Sequence, residues 1–168
     1  GKNPPKLGET LAKRAIVEAI LDKHDLATGG RKFNAIFATA SINEAIEYHG
    51  LFAEIQEARR KADPSFKPLN IAAVFSPPGD VGTDVRQLQE DLPNEQSNNQ
   101  EEPDRKKAAL TEIIGRYNED FGTNHRIEEF DLYYQDVQKR IKDQQWPEAD
   151  LRKAYPKARH HKIDIVIV

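Results

Sequence analysis

The chain has no cysteine. Disulfides, thiol nucleophiles and cysteine metal sites are therefore excluded within its 168 residues, and a reducing, cytoplasmic setting is the natural expectation. Long apolar runs are also missing: a membrane span needs about 20 such residues, and the longest runs here are strand-sized. No secretory leader is visible. Net charge is only −3, so bulk charge carries no nucleic-acid signature. A Walker A loop is absent too. Gly79-Asp80-Val81-Gly82-Thr83 lacks the lysine, and Gly29-Gly30-Arg31-Lys32 reads as a helix stop, so these residues do not hold a nucleoside triphosphate through a P-loop.

A metal site is not expected. His160 and His161 are adjacent, and an extended backbone would point them to opposite sides. His49 sits on an otherwise apolar helical stripe and reads as a satisfied core histidine. Acid pairs such as Glu148 and Asp150 read as a solvated charged face rather than a nuclease centre.

What is present is segregated. Mean hydropathy is −0.77, low for an α/β domain, so long polar connections must dilute an ordinary core. Between Ser76 and Asp104 eight carboxylates face one arginine, whereas Lys139 to Lys162 carries eight bases against three acids. The acidic stretch, with Asn94 to Glu102 close to low complexity, predicts an insertion with poor order around residues 92 to 103. The basic stretch leads into the last strand and permits a polyanion partner.

Three β-branched runs predict strands: Lys32 to Ala38, Leu69 to Phe75 and Ile163 to Val168. The last needs cover on both faces, as in the middle of a parallel sheet. Because chains seldom stop on such a strand, and this one opens on Gly1, a slice of a larger protein is expected. Strand, helix and strand in succession call for a right-handed crossover and a parallel pair. Helical spacing predicts four longer helices. Gly8 to Asp25 would bury Leu11, Ala15, Ile16, Ala19 and Ile20, with Lys13, Arg14, Glu18 and Lys23 outward. Ser41 to Lys61 opens on a Ser41/Glu44 capping box and ends at Ala62-Asp63-Pro64. Pro103 to Asn118, with Ala108, Leu110, Ile113, Ile114 and Tyr117 as apolar positions, and Ile127 to Lys142, with Ile127, Phe130, Tyr134, Val137 and Ile141 on one side, follow, separated by a turn at Phe121 to Asn124. Trp146-Pro147 begins a short helical or irregular piece.

The strand-to-helix corner Phe37-Ala38-Thr39-Ala40-Ser41 is the candidate ligand contact. A parallel strand delivers the chain to the carboxyl edge of its sheet, and a helix N-terminus offers N–H groups and partial positive charge there. Thr39 and Ser41 add hydroxyls suited to a phosphate oxygen, although Ser41 also fits as a plain helix cap and Thr39 as a turn former. Ser76, after the second strand, follows the same logic.

Lys32-Phe33-Asn34-Ala35-Ile36-Phe37-Ala38-Thr39-Ala40-Ser41 with Glu44-Ala45-Ile46 and Leu51-Phe52 resembles motif IV of superfamily 2 motors, in the version of the motor and nuclease subunit of type I restriction enzymes. Ala73 to Ser76, Tyr117-Asn118-x-x-Phe121-Gly122-Thr123, Phe130, Tyr134-x-Asp136-Val137-x-x-Arg140-x-Lys142 and Ile163 to Val168 follow in that family's order. The resemblance implies an α/β fold over residues 1–168: part of the second RecA-like (P-loop NTPase-type) motor domain, with a parallel sheet, helices on both faces and a polar helical insertion. Within it, residues 77–104 would be an acidic, flexible insertion and residues 105–142 a helical pair. It implies ATP-driven translocation on double-stranded DNA and DNA cleavage by the intact subunit, with Thr39, Ser41 and Ser76 along the DNA backbone. ATP and Mg2+ would be the cofactors, held by Walker motifs outside these residues, as are motifs V and VI and the nuclease carboxylates. Methyltransferase and specificity subunits would be partners, without a membrane, and the segment alone would be inactive. Two rivals stand beside this reading: another superfamily 2 helicase or remodeller lobe, and a non-enzymatic α/β module binding a protein through its acidic loop and paired helices.

Overall fold

The structure is a computed structural model that describes residues 3–77, 103–143, 148–154, 156–157 and 162–168. Helix α1 (Asn3–Ala27) leads to strand β1 (Ala35–Phe37), helix α2 (Ile42–Ala62) and strand β2 (Ile71–Ala73). Helix α3 (Pro103–Phe121), a 3-10 turn (Ile127–Glu129), helix α4 (Phe130–Asp143), short helix α5 (Glu148–Ala154) and strand β3 (Ile165–Ile167) follow. The expectations for residues 78–102, including the poor order of the acidic stretch, and for Trp146-Pro147 lie outside the described residues.

The sheet is parallel, with order β1-β3-β2. Ile165, Val166 and Ile167 stand opposite Ala35, Ile36 and Phe37 on one side and Ile71, Ala72 and Ala73 on the other. The last strand is thus the central one, as its composition requires: Ile163, Ile165, Val166 and Ile167 are all buried. Contrary to expectation, β1 and β2 do not pair with each other, because β3 is inserted between them. β3 is the ribbon with most apolar surface to hide, while β1 tolerates an edge, its Ile36 being 70% exposed. The result is a mixed α/β architecture compatible with part of a RecA-like domain.

Helix α2 covers the Phe37 side of the sheet. Phe37 packs edge-on against Tyr48 and Phe52, at 4.7 and 6.1 Å between ring centroids. Buried Gln56 ties the helix to the start of β2, donating to the Leu69 carbonyl at 3.1 Å and accepting from its N–H at 2.6 Å. Gln56 spans a gap where an apolar side chain would orphan two backbone groups.

α1 is rotated relative to the expected face. It buries Val17 and His24 and leaves Leu11 and Ile16 exposed. Lys13 and Arg14, expected outward, turn to α2 and pair with Glu47 at 2.6 Å and Glu54 at 3.1 Å, while Asp22 meets Arg59 at 2.8 Å. Long cationic stems cover apolar surface and keep their heads in contact with carboxylates, so periodicity alone misassigns the inner side. The stop after α1 is as expected. Gly29, Gly30 and Arg31 have φ of 64°, 72° and 70°, and Arg31 then bonds the Lys67 and Pro68 carbonyls at 2.6 and 3.2 Å. Among the described residues, no helix is long and apolar enough to cross a membrane.

Candidate nucleic-acid interface

The corner after β1 is sewn to the end of β3. Val168 N–H donates to the Phe37 carbonyl at 3.0 Å, and Thr39 N–H donates to the Val168 carbonyl at 2.8 Å. This ladder brings Thr39 and Ser41 to the carboxyl edge of the central strand. Both are partly exposed. Ser41 has extended backbone (φ −156°, ψ 165°), and its Oγ accepts from Glu44 N–H at 3.1 Å. Glu44 reaches back to Ala40 N–H at 3.4 Å, one residue short of the expected reciprocal partner. The cap reading of Ser41 is therefore realised. Accepting one bond leaves its O–H as a donor, which is what a phosphate oxygen needs.

Thr39 is differently placed. Its hydroxyl donates towards the Val168 carbonyl at 2.9 Å and the Ser41 carbonyl at 3.2 Å. One proton serves two acceptors, so contact with an anion requires Thr39 to give up a carbonyl. Ser76 is 0% exposed, and its one-carbon stem is too short to carry the hydroxyl out to a ligand in this arrangement. Asn43, in the first turn of α2, was not singled out by the sequence. Its Oδ1 is buried without a hydrogen-bond partner, a signal visible only once the helix start is fixed in space. The electrostatics of the corner are mixed: the positive end of a 21-residue helix is met by Glu44 in the first turn, and Glu47 is neutralised by Lys13.

The basic stretch contributes less than its count suggests. Lys139, Lys142, Arg152, Lys153 and Lys157 are exposed, but Arg140 is 0% exposed. Its guanidinium lies 4.5 Å from the Phe121 ring centroid and donates from Nε to the Tyr117 hydroxyl at 3.0 Å. Tyr117 in turn donates to Asp136 at 2.6 Å, and His125 Nε2 lies 3.3 Å from the same carboxylate. Burial pushes the Asp136 carboxyl up, but the close His125 imidazole, the Tyr117 hydrogen bond and the Arg140 charge outweigh it, leaving it below the usual range. Asn118 braces the turn between α3 and α4, accepting from His125 N–H and Thr123 Oγ1 at 2.9 and 2.7 Å, with Gly122 at φ 67°. These are the residues of the Tyr117-to-Thr123 and Tyr134-to-Lys142 motifs, and here they clasp two helices. Tyr133 links that clasp to the sheet, donating to the Ala73 carbonyl at 2.5 Å.

A cavity of about 660 Å³ lies between α2, α3 and the start of β2, lined by His49, Gln56, Leu69, Glu112, Ile113 and Arg116 among others. Burial, helped by the Arg116 charge, pushes the His49 imidazole down to about 4. His49 is neutral at physiological pH and faces this cavity from a half-buried position on α2. No group of three or more His, Asp or Glu side chains able to hold a metal occurs among the described residues.

These features converge on one family. A family model for type I restriction enzyme subunit R domain 3 matches residues 31–168, from the start of the β1 segment to the end of the central strand. α1 lies before the matched region. With the sheet, the corner and the clasped helix pair all inside it, the chain belongs to the type I restriction enzyme subunit R domain 3 family.

Proposed function

We propose that this domain is the second motor lobe of the restriction subunit, an ATP-driven translocase on double-stranded DNA, and that it meets one strand's backbone at the Thr39–Ser41 corner. The observation that carries this reading is the placement of the Ser41 hydroxyl at the carboxyl edge of a parallel sheet, at the positive end of α2. Oriented donors at a helix start favour a phosphate oxygen without reading bases, as a motor that moves along any sequence requires. Ser76, being enclosed, is assigned no contact in this reading.

Nucleotide-driven closure of two lobes would alternately tighten and release that grip, converting ATP turnover into steps. ATP and Mg2+ belong to the intact subunit, which acts with methyltransferase and specificity subunits. Ser41→Ala and Thr39→Ala in the intact subunit are expected to lower DNA-stimulated ATPase and translocation while unstimulated nucleotide binding stays near normal. The Ser41 variant should be the more affected, since Thr39 already spends its proton on Val168. Unchanged translocation rates in both variants would reject the assignment.

A further inference from the structure

The core-facing stripe of α3 carries a misfit in its first turn. Lys106 stands in line with Leu110, Ile113 and Tyr117, is 0% exposed, and its Nζ has no hydrogen-bond partner. A buried polar head with no partner costs a fold free energy, and an apolar side chain of similar size would fill the space without that cost. Helical side chains lean towards the N-terminus of their own helix. The Lys106 stem therefore carries its charge towards the start of a 19-residue helix, where the backbone dipole already favours an anion. Arg105 and Lys107 flank it, against Asp104 in that turn and Glu101 and Glu102 just before it in the sequence.

We propose that Lys106 and the N-terminal end of α3 form a subsite for a phosphate oxygen, and that the phosphate belongs to a DNA backbone. This rests on the reading that the domain contacts duplex DNA, and it adds a charged contact to the uncharged hydroxyls of the Thr39–Ser41 corner. One buried cation and a helix end match the single charge of a phosphodiester. A triphosphate would call for the glycine-rich loop that the chain lacks. The flexible lysine stem lets the head reach the surface from a first-turn position.

The test is the salt dependence of binding by the intact restriction subunit to a labelled duplex, compared with binding of ATP. Each phosphate neutralised by a cation contributes about −0.9 to the slope of log K against log salt. Lys106→Met is expected to reduce the slope magnitude by about 0.9, and Lys106→Arg to restore it. Ser41→Ala weakens binding without changing the slope, because a hydroxyl displaces no counterion, so failure at the corner and failure at Lys106 are separately visible. A lowered ATP affinity with an unchanged duplex slope would keep the phosphate chemistry and move its source to the nucleotide. An unchanged slope and unchanged ATP affinity, with Lys106→Met raising the melting temperature, would overturn the proposal. So would loss of the slope in both variants together with a fall in melting temperature, since that is a packing defect.

Discussion

At the scale of single residues, two of the titratable groups that shape the fold's response to acid act by opposite routes. Asp136 is held below the ordinary carboxylate range despite its burial, because His125, Tyr117 and Arg140 all favour its charged form. A depressed carboxyl contributes stability that is present above its unfolded value and lost as pH falls through its folded one. Asp136→Asn should therefore flatten the acid limb of a melting-temperature profile below about pH 4. Asp136→Ala, which takes a carboxylate away from the enclosed Arg140 guanidinium, should cost about 3 kcal/mol at neutral pH. His49 works from the other side. Its imidazole is pushed down to about 4 from 6.5, so the unfolded chain binds a proton more readily between those values and stability falls as pH drops through that window. His49→Gln should weaken the dependence between pH 4 and 6.5, with the remainder in that window left to His24, whose imidazole burial also pushes down. If thermal unfolding of His49→Gln and the parent follow one another across the whole range, the buried neutral imidazole is wrongly assigned.

At the scale of elements, the sequence was most readable where local chemistry decides the outcome. The Ser41/Glu44 box starts α2, Pro64 follows its end, and Gly29-Gly30 stops α1, because caps and left-handed backbone depend on the residues themselves. Gly30 has φ 72° and its N–H bonds the Asp25 carbonyl at 2.6 Å. A Cβ there would meet nothing within 4 Å, so Gly30→Ala should cost only the left-handed backbone penalty, about 1–2 kcal/mol, read from denaturant unfolding. The inner face of α1 was not readable, because ion pairs with Glu47 and Glu54 decide it, the first of them joining residues 34 positions apart. On α3, Ala108 was expected inside and is exposed, while Lys106 is inside; no periodicity rule nominates a lysine for a core stripe. On α4, Tyr134 was expected inside, yet Tyr133 is the fully enclosed ring, because its hydroxyl finds the Ala73 carbonyl. Ser76 shows the same limit at the candidate site. Its position after β2 was legible, but its full burial was not.

At the scale of the whole molecule, everything passes through β3. Among the described residues β1 and β2 share no ladder, and β3 carries the backbone hydrogen bonds that join them into one sheet. Such pairings close very long loops and are gained late, after local helices. The two faces of the sheet are not equivalent along their width. Val166 and Ile36 stand directly opposite each other in the ladder, and in a parallel pair opposed residues project to the same face. Yet Val166 is 3% exposed and Ile36 is 70% exposed. The cover over that face therefore ends between the central strand and the β1 edge. A carboxylate at each position measures this boundary. Val166→Asp would bury an unpaired charge in the middle of the sheet and should cost more than about 4 kcal/mol, enough to abolish cooperative unfolding in a domain of ordinary stability. Ile36→Asp should cost about 1 kcal/mol or less, the loss of β-branched preference at an exposed edge. Circular dichroism melts of the two variants against the parent would decide it. Equal damage at both positions would mean that β1 is as enclosed as β3, and a mild effect at Val166 would mean that β3 is not the centre of the sheet.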